Sequence, residues 1–167
     1  MNRYYFSHEM YVFHKLNEAY PGKIFFQVGG CHRTQVDYIK VGADEKIILD
    51  AKYKPRYEKG DRGIVDDVRE ISGYARDKKI LKALGWNTNV DGKDGKLLPD
   101  CVIIYPVVQV EENDDGEFMD DVVAGNCHHV DETLSFDSTK TVIEQCDKIK
   151  AFEGFYKIAV PLPMKKM

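Results

Sequence analysis

Asp50-Ala51-Lys52 is the stretch of this chain best equipped for chemistry. It lies in the run Ile47-Ile48-Leu49-Asp50-Ala51-Lys52-Tyr53-Lys54, which opens apolar and β-branched. Residues two apart in a strand share a face, so Asp50 and Lys52 stand side by side, while Leu49, Ala51 and Tyr53 point the other way. An acid and an amine beside so apolar a run are costly unless they pair or form a site. Asp37, in Val36-Asp37-Tyr38, belongs to the preceding strand-like run, and a hairpin brings it alongside Asp50. Two carboxylates at one spot repel each other and invite a divalent cation. Such a cation polarises a bound substrate and acidifies a bound water, and a neighbouring lysine can orient that water or offset developing negative charge. Asp-x-Lys alone also describes a surface ion pair on an edge strand.

The elements that position these residues follow from periodicity. Ser7 is placed to N-cap a first helix, with Glu9 in its first turn. Met10, Phe13, Leu16 and Tyr20 follow at helical spacing, and Pro21-Gly22 ends the helix. Ile24–Val28, Gln35–Val41 and Ile47–Tyr53 read as strands, the last two joined by a turn-like segment as an antiparallel hairpin. Ile64, Val68, Ile71 and Ala75 form a helical stripe that Ile80, Leu81 and Leu84 extend to Gly85, a C′ glycine. Asn87–Pro99 reads as a Gly/Asp-rich loop, Cys101–Val108 as a buried strand, Lys140–Lys150 as a short helix and Phe155–Leu162 as the last strand. This order predicts the α/β class, a mixed central β-sheet flanked by helices. It predicts a single domain over residues 1–167, with an acidic loop or insertion at 111–132.

Asp37 followed by Asp50-x-Lys52 across a hairpin resembles the PD-(D/E)xK nuclease superfamily. Asp50-Ala51-Lys52-Tyr53-Lys54 is similar to the second motif of McrC-like, modification-dependent restriction endonucleases. The helix Asp66-Asp67-Val68-Arg69-Glu70-Ile71-Ser72-Gly73-Tyr74 resembles that family's helix, which carries an acid and then Gln-x-x-x-Tyr. Here Glu70 stands in the Gln position and Tyr74 in the Tyr position. Glu9 is similar to the family's first-helix glutamate, and Phe155-Tyr156-Lys157-Ile158 fits its closing strand. Val36 stands where the family has Pro, and 111–132 has no counterpart there. The resemblance implies a restriction-endonuclease-like core and a Mg²⁺-dependent DNA endonuclease, with Mn²⁺ as a substitute. It implies Asp37, Asp50 and Lys52 as catalytic residues. Asp37, Asp50, Glu9 and the Ala51 backbone carbonyl are the implied metal ligands, supported by Glu70 and Tyr74. The implied partners are DNA and a McrB-like AAA+ GTPase. A non-catalytic nuclease-fold module that binds DNA or a protein partner is the alternative.

Charge fits a polyanionic partner better than its total suggests. The net charge is −4, from 24 basic and 28 acidic residues. Nine of the acids fall in 111–132, which has no Lys or Arg, so the remainder is net basic, 24 against 19. Lys54, Arg56, Lys59 and Arg62 after the motif, and Arg69, Arg76, Lys78, Lys79 and Lys82 beyond, are placed either to touch phosphates or simply to be solvated. Cys127-His128-His129 lacks a second ligand cluster for zinc, and Asp91-Gly92-Lys93-Asp94-Gly95 lacks the closing Glu of a calcium loop. The longest apolar run, Cys101–Val108, is too short to cross a bilayer. Residues 1–20 are too charged for a signal peptide, and the four cysteines are widely spaced. Both features predict a reducing, cytoplasmic setting.

Overall fold

The chain forms α1 (Arg3–Ala19), β1 (Ile24–Gly29), β2 (Gln35–Val41), β3 (Lys46–Ala51), α2 (Val65–Tyr74), α3 (Lys78–Leu84), α4 (Thr88–Asp91), β4 (Asp100–Val107), β5 (Asp147–Lys148) and β6 (Phe155–Pro161). The computed structural model describes residues 3–52, 64–92, 95–107 and 136–161. The strands make one open sheet in the order β1-β2-β3-β4-β6-β5. β3 runs parallel to β4 and β4 to β6, and the other pairings are antiparallel. The expected hairpin is present. Val41 faces Lys46, Tyr38 faces Leu49, and the Gly42 N–H closes the turn on the Glu45 carbonyl at 3.0 Å.

Helices cover both faces of this sheet, which is why β3 and β4 read as continuous apolar runs rather than alternating ones. On one face Tyr38, Ile47, Leu49, Val102 and Ile104 pack with Val12 and Leu16 of α1 and with Tyr20 just past its end. On the other, Ile39, Ile48, Cys101 and Ile103 pack with Val68 and Ile71 of α2 and Ile80 and Leu84 of α3. The class is α/β with a mixed sheet flanked by helices, consistent with a restriction-endonuclease-like core.

Several elements differ from the sequence expectation. α1 begins at Arg3, so Ser7 lies inside the helix rather than capping it. Its buried stripe is His8, Val12 and Leu16, continued by Tyr20 just past the helix end, with Phe13 only partly covered. The stripe from Ile64 to Leu84 is two helices rather than one. Asp77 breaks it, because its carboxylate accepts the N–H groups of Lys79 and Ile80 and caps a new helix. Gly85 does end α3 in the left-handed conformation, at φ 70°. The Asn87–Pro99 loop contains the single turn α4. Lys140–Lys150 forms a 3-10 turn at Ile143–Gln145 and the short strand β5 instead of a helix. The acidic stretch 111–132, with Cys127-His128-His129 inside it, lies outside the described residues.

The failed helix has a tertiary cause. The Glu45 carboxylate accepts the N–H groups of Val142 and Ile143, both at 2.9 Å, and so holds this segment against the β2–β3 turn. Glu45 also binds the Lys40 ammonium at 2.6 Å, with side chains only 1% and 6% exposed. The ammonium lies 4.0 Å from the centre of the Tyr20 ring, a cation–π contact. Removing one partner of a buried pair strands the other. Glu45→Ala is therefore expected to destabilise the fold by about 3–5 kcal/mol in urea unfolding. A loss below about 1 kcal/mol, the size of a surface pair, would show that water replaces the carboxylate there.

Candidate functional site

The register of β2 and β3 sets the site. Continuing the Tyr38–Leu49 pairing by one step places Asp37 opposite Asp50. The backbone ladder stops there, and the Asp37 side chain takes its place: its Oδ2 accepts the Ala51 N–H at 2.8 Å. Asp50 and Lys52 lie on the face covered by α2, as the two-residue period requires, with Asp50 Oδ2 and Lys52 Nζ 2.9 Å apart. Lys52 also donates to Glu70 Oε1 of α2 at 2.6 Å. The Tyr74 hydroxyl, one turn further along α2, donates to Glu70 Oε2 at 3.3 Å. Asp37, Asp50, Lys52, Glu70 and Tyr74 thus form one connected chain across two strands and a helix.

Glu9 joins through α1. The Tyr38 hydroxyl donates to the Glu9 carbonyl at 2.9 Å and pins this turn of the helix to β2. The Glu9 charge is close enough to act on Asp37. Of the basic residues expected to touch DNA, Arg69 is exposed on α2 and lies 3.9 Å from Asp66. Lys54, Arg56, Lys59 and Arg62 lie outside the described residues. Asp67, quoted in the helix motif without a role of its own, is buried on the sheet-facing side of α2. Its signal is its place between Ile64 and Ile71, next to Val68 on the buried stripe. A cleft of about 930 Å³ lies elsewhere, around Lys46, Trp86, Leu97 and Asp100 at the opposite end of β3 and β4.

Burial governs the electrostatics. Asp50 is 4% exposed. Desolvation, then the Asp37 charge, push its carboxyl up to about 8 against the pull of Lys52. Desolvation also raises Asp37, and Glu9 adds to this, but the Ala51 N–H favours its anion. Of the two, Asp50 is the one whose surroundings disfavour the anion more. Desolvation works against the Lys52 ammonium, yet Asp50 and Glu70 outweigh it and hold the amine charged well above its ordinary range. Burial, Asp50 and Glu70 push the Tyr74 phenol up to about 12, so it remains a donor. Asp50 and Glu70 thus share one ammonium, with Asp37 beside Asp50 and the Glu9 charge acting on Asp37.

Asp37, Asp50 and the Ala51 carbonyl offer hard oxygen donors, the chemistry that suits Mg²⁺ or Mn²⁺. Among the described residues, no group of three or more His, Cys, Asp or Glu side chains is gathered as a complete metal-holding set. A cation here would draw on the two aspartates, backbone oxygen and water. The chain matches no known family model, no curated protein and no solved structure.

The raised Asp50 value has a definite sign in stability. The metal-free native state holds this proton more tightly than the unfolded chain does. Its contribution is complete below the ordinary Asp range and is lost as pH rises toward about 8. In EDTA, the melting temperature of the wild type is expected to fall between about pH 5 and about pH 8 more steeply than that of Asp50→Asn. Equal slopes in thermal melts would mean that Asp50 is as well solvated folded as unfolded.

Proposed function

We propose that this protein is a Mg²⁺-dependent DNA endonuclease, a phosphodiester hydrolase of the McrC-like restriction type. The observation that carries this reading is the Asp37–Asp50 carboxylate pair with the Lys52 ammonium 2.9 Å from Asp50. The excess of carboxylates over ammonium at that point is a charge imbalance that a divalent cation relieves. Asp37, Asp50 and the Ala51 carbonyl are its proposed ligands, with Glu9 adding negative field. When bound, the cation supplies electrophilic polarisation of the phosphate and makes water nucleophilic at neutral pH.

The other roles belong to the chain's own side chains. Lys52 stays cationic throughout and faces the growing charge on the phosphoryl oxygens. Glu70 holds the Lys52 amine in place, and the Tyr74 hydroxyl holds Glu70. A cation beside Asp50 would offset the Asp37 charge and favour the Asp50 anion, any proton passing to solvent, so that Asp50 could serve as a ligand. Ala51 is fixed by its bond to Asp37, which orients the Asp50–Lys52 segment at the end of β3. The family resemblance adds a GTPase partner of the McrB-like AAA+ kind, which would recruit the domain to DNA.

One observation favours a second reading, a nuclease-fold module that binds DNA or a protein without cutting. Lys52 is held by two carboxylates at once, as in a purely structural ion-pair network. Nicking of supercoiled plasmid with Mn²⁺ at high protein concentration separates the two. The wild type is expected to nick, Asp50→Asn to be inactive, and Lys52→Ala to lose about a hundredfold or more while keeping most of its DNA affinity. Binding by all three proteins with nicking by none would establish the non-catalytic module.

A further inference from the structure

The tip that joins β1 to β2 carries backbone strain that the site chemistry leaves unexplained. Among the described residues, three non-glycine positions have positive φ: Gln27 at 56°, His32 at 54° and Arg33 at 64°. All three lie on β1 or its connection to β2. Gln27 falls opposite Asp37, between the Phe26–Tyr38 and Val28–Val36 pairs. His32 and Arg33 fall in the 3-10 turn Cys31–Arg33. A side chain makes this left-handed backbone costly, and glycine does not. Such strain persists only where the surroundings over-determine it, and it gathers at sites that clamp ligands.

Asp77 supplies those surroundings. Its Oδ2 accepts the Cys31 N–H at 2.9 Å and the Thr34 hydroxyl at 3.4 Å. Its Oδ1 accepts the N–H groups of Lys79 and Ile80 at 2.9 and 3.2 Å, which ties the tip to α3. The tip is further closed by the Gly30 N–H on the Thr34 carbonyl at 2.8 Å. A Cβ at Gly30 would sit 2.5 Å from Thr34 Oγ1 and 2.6 Å from Asp77 Oδ2, so this latch forms only over glycine. The result is a rigid mount with His32 and Arg33 exposed, and with Lys78 and Lys79 exposed on the adjoining turn of α3. The one carboxylate among them, Asp77, is already engaged by N–H and hydroxyl donors. The mount lies at the same end of the sheet as the candidate site, because β2 begins at Gln35 and reaches Asp37 two residues later.

We infer that the Gly30–Thr34 tip is a rigid phosphate grip, in which Arg33, flanked by Lys78 and Lys79, binds the sugar-phosphate backbone of DNA beside the bond to be cut. This rests on the endonuclease reading and adds the place where the strand is held. Guanidinium suits phosphate because its planar fork donates two parallel hydrogen bonds. A preformed mount spares the ordering entropy that a loose loop would lose on binding. Contacts of this kind fix the register of the duplex without reading its sequence.

Arg33→Gly is the informative variant, because glycine accepts a φ of 64° and only the cation is removed. Its melting temperature is expected to equal or exceed that of the wild type. Binding of a fluorescent DNA duplex, followed by anisotropy with Ca²⁺ across a salt series, is expected to weaken roughly five- to tenfold at about 0.1 M salt. The slope of log affinity against log salt should become shallower by about 0.9. Lys148→Ala, on the far edge of the sheet, should change neither quantity. If the wild type binds and nicks DNA and Arg33→Gly binds as tightly, the grip is overturned and the endonuclease reading stands. If Arg33→Gly and Lys148→Ala weaken binding alike, the effect is one of net charge, and the grip is again overturned. If the wild type neither binds nor nicks DNA, the endonuclease reading fails and takes the grip with it.

Discussion

The pairing register of β2 and β3 is the constraint on which the rest of the site depends. It sets Asp37 against Asp50 and sends Asp50 and Lys52 to the face under α2. A slip of one residue would turn Asp50 and Lys52 toward α1 and put Leu49 and Ala51 under α2. Both faces of β3 are buried, so neither the apolar nor the charged set tolerates that exchange. The register is locked at one end by the Gly42–Glu45 turn and at the other by the Asp37 carboxylate on the Ala51 N–H. A candidate catalytic group is therefore also part of the sheet's own hydrogen bonding.

A buried and a partly exposed set of ion pairs lie at opposite ends of this hairpin and differ in how completely they are satisfied. Lys40–Glu45 is matched one to one, and Glu45's remaining capacity is filled by the N–H groups of Val142 and Ile143. It anchors the C-terminal segment and leaves nothing over for a ligand. At the other end Asp50 and Glu70 share Lys52 with Asp37 beside them, and burial with the Asp37 charge pushes the Asp50 carboxyl up. A balanced pair stabilises the fold; an unbalanced one creates affinity for a cation.

The buried face of the sheet was legible because both its periods are strict. β2 matches the span read from alternation and turn residues, and β4 and β6 fall within a residue or two of theirs. The Asp50–Lys52 contact follows from the strand period alone. Helix ends were less legible. The stripe from Ile64 to Leu84 keeps its apolar residues across the break, so periodicity does not reveal that Asp77 caps a second helix. The 140–150 segment has helix-forming residues, but its backbone donors are claimed by Glu45, nearly a hundred residues earlier in the chain. Glu70 was legible as a neighbour of Tyr74 on one helix face, but not as the second anion on Lys52, a contact between a strand and a helix.

The amino-acid sequence by itself determined the α/β class, the hairpin, the pairing of an acid with a lysine on one strand face, and the place of Asp37 on the neighbouring strand. These follow from periods of 2 and 3.6 residues and from turn chemistry, which are properties of short stretches of chain. Only the tertiary structure decided which carboxylate is pushed further from its ordinary range. That depends on Asp50 being sealed from water while Asp37 accepts a backbone N–H. Tertiary structure also decided that Asp77, from the break between two helices, braces a strained turn from another part of the chain. Desolvation and long-range hydrogen bonds exist only once distant segments are packed together, so no local pattern in the sequence records them.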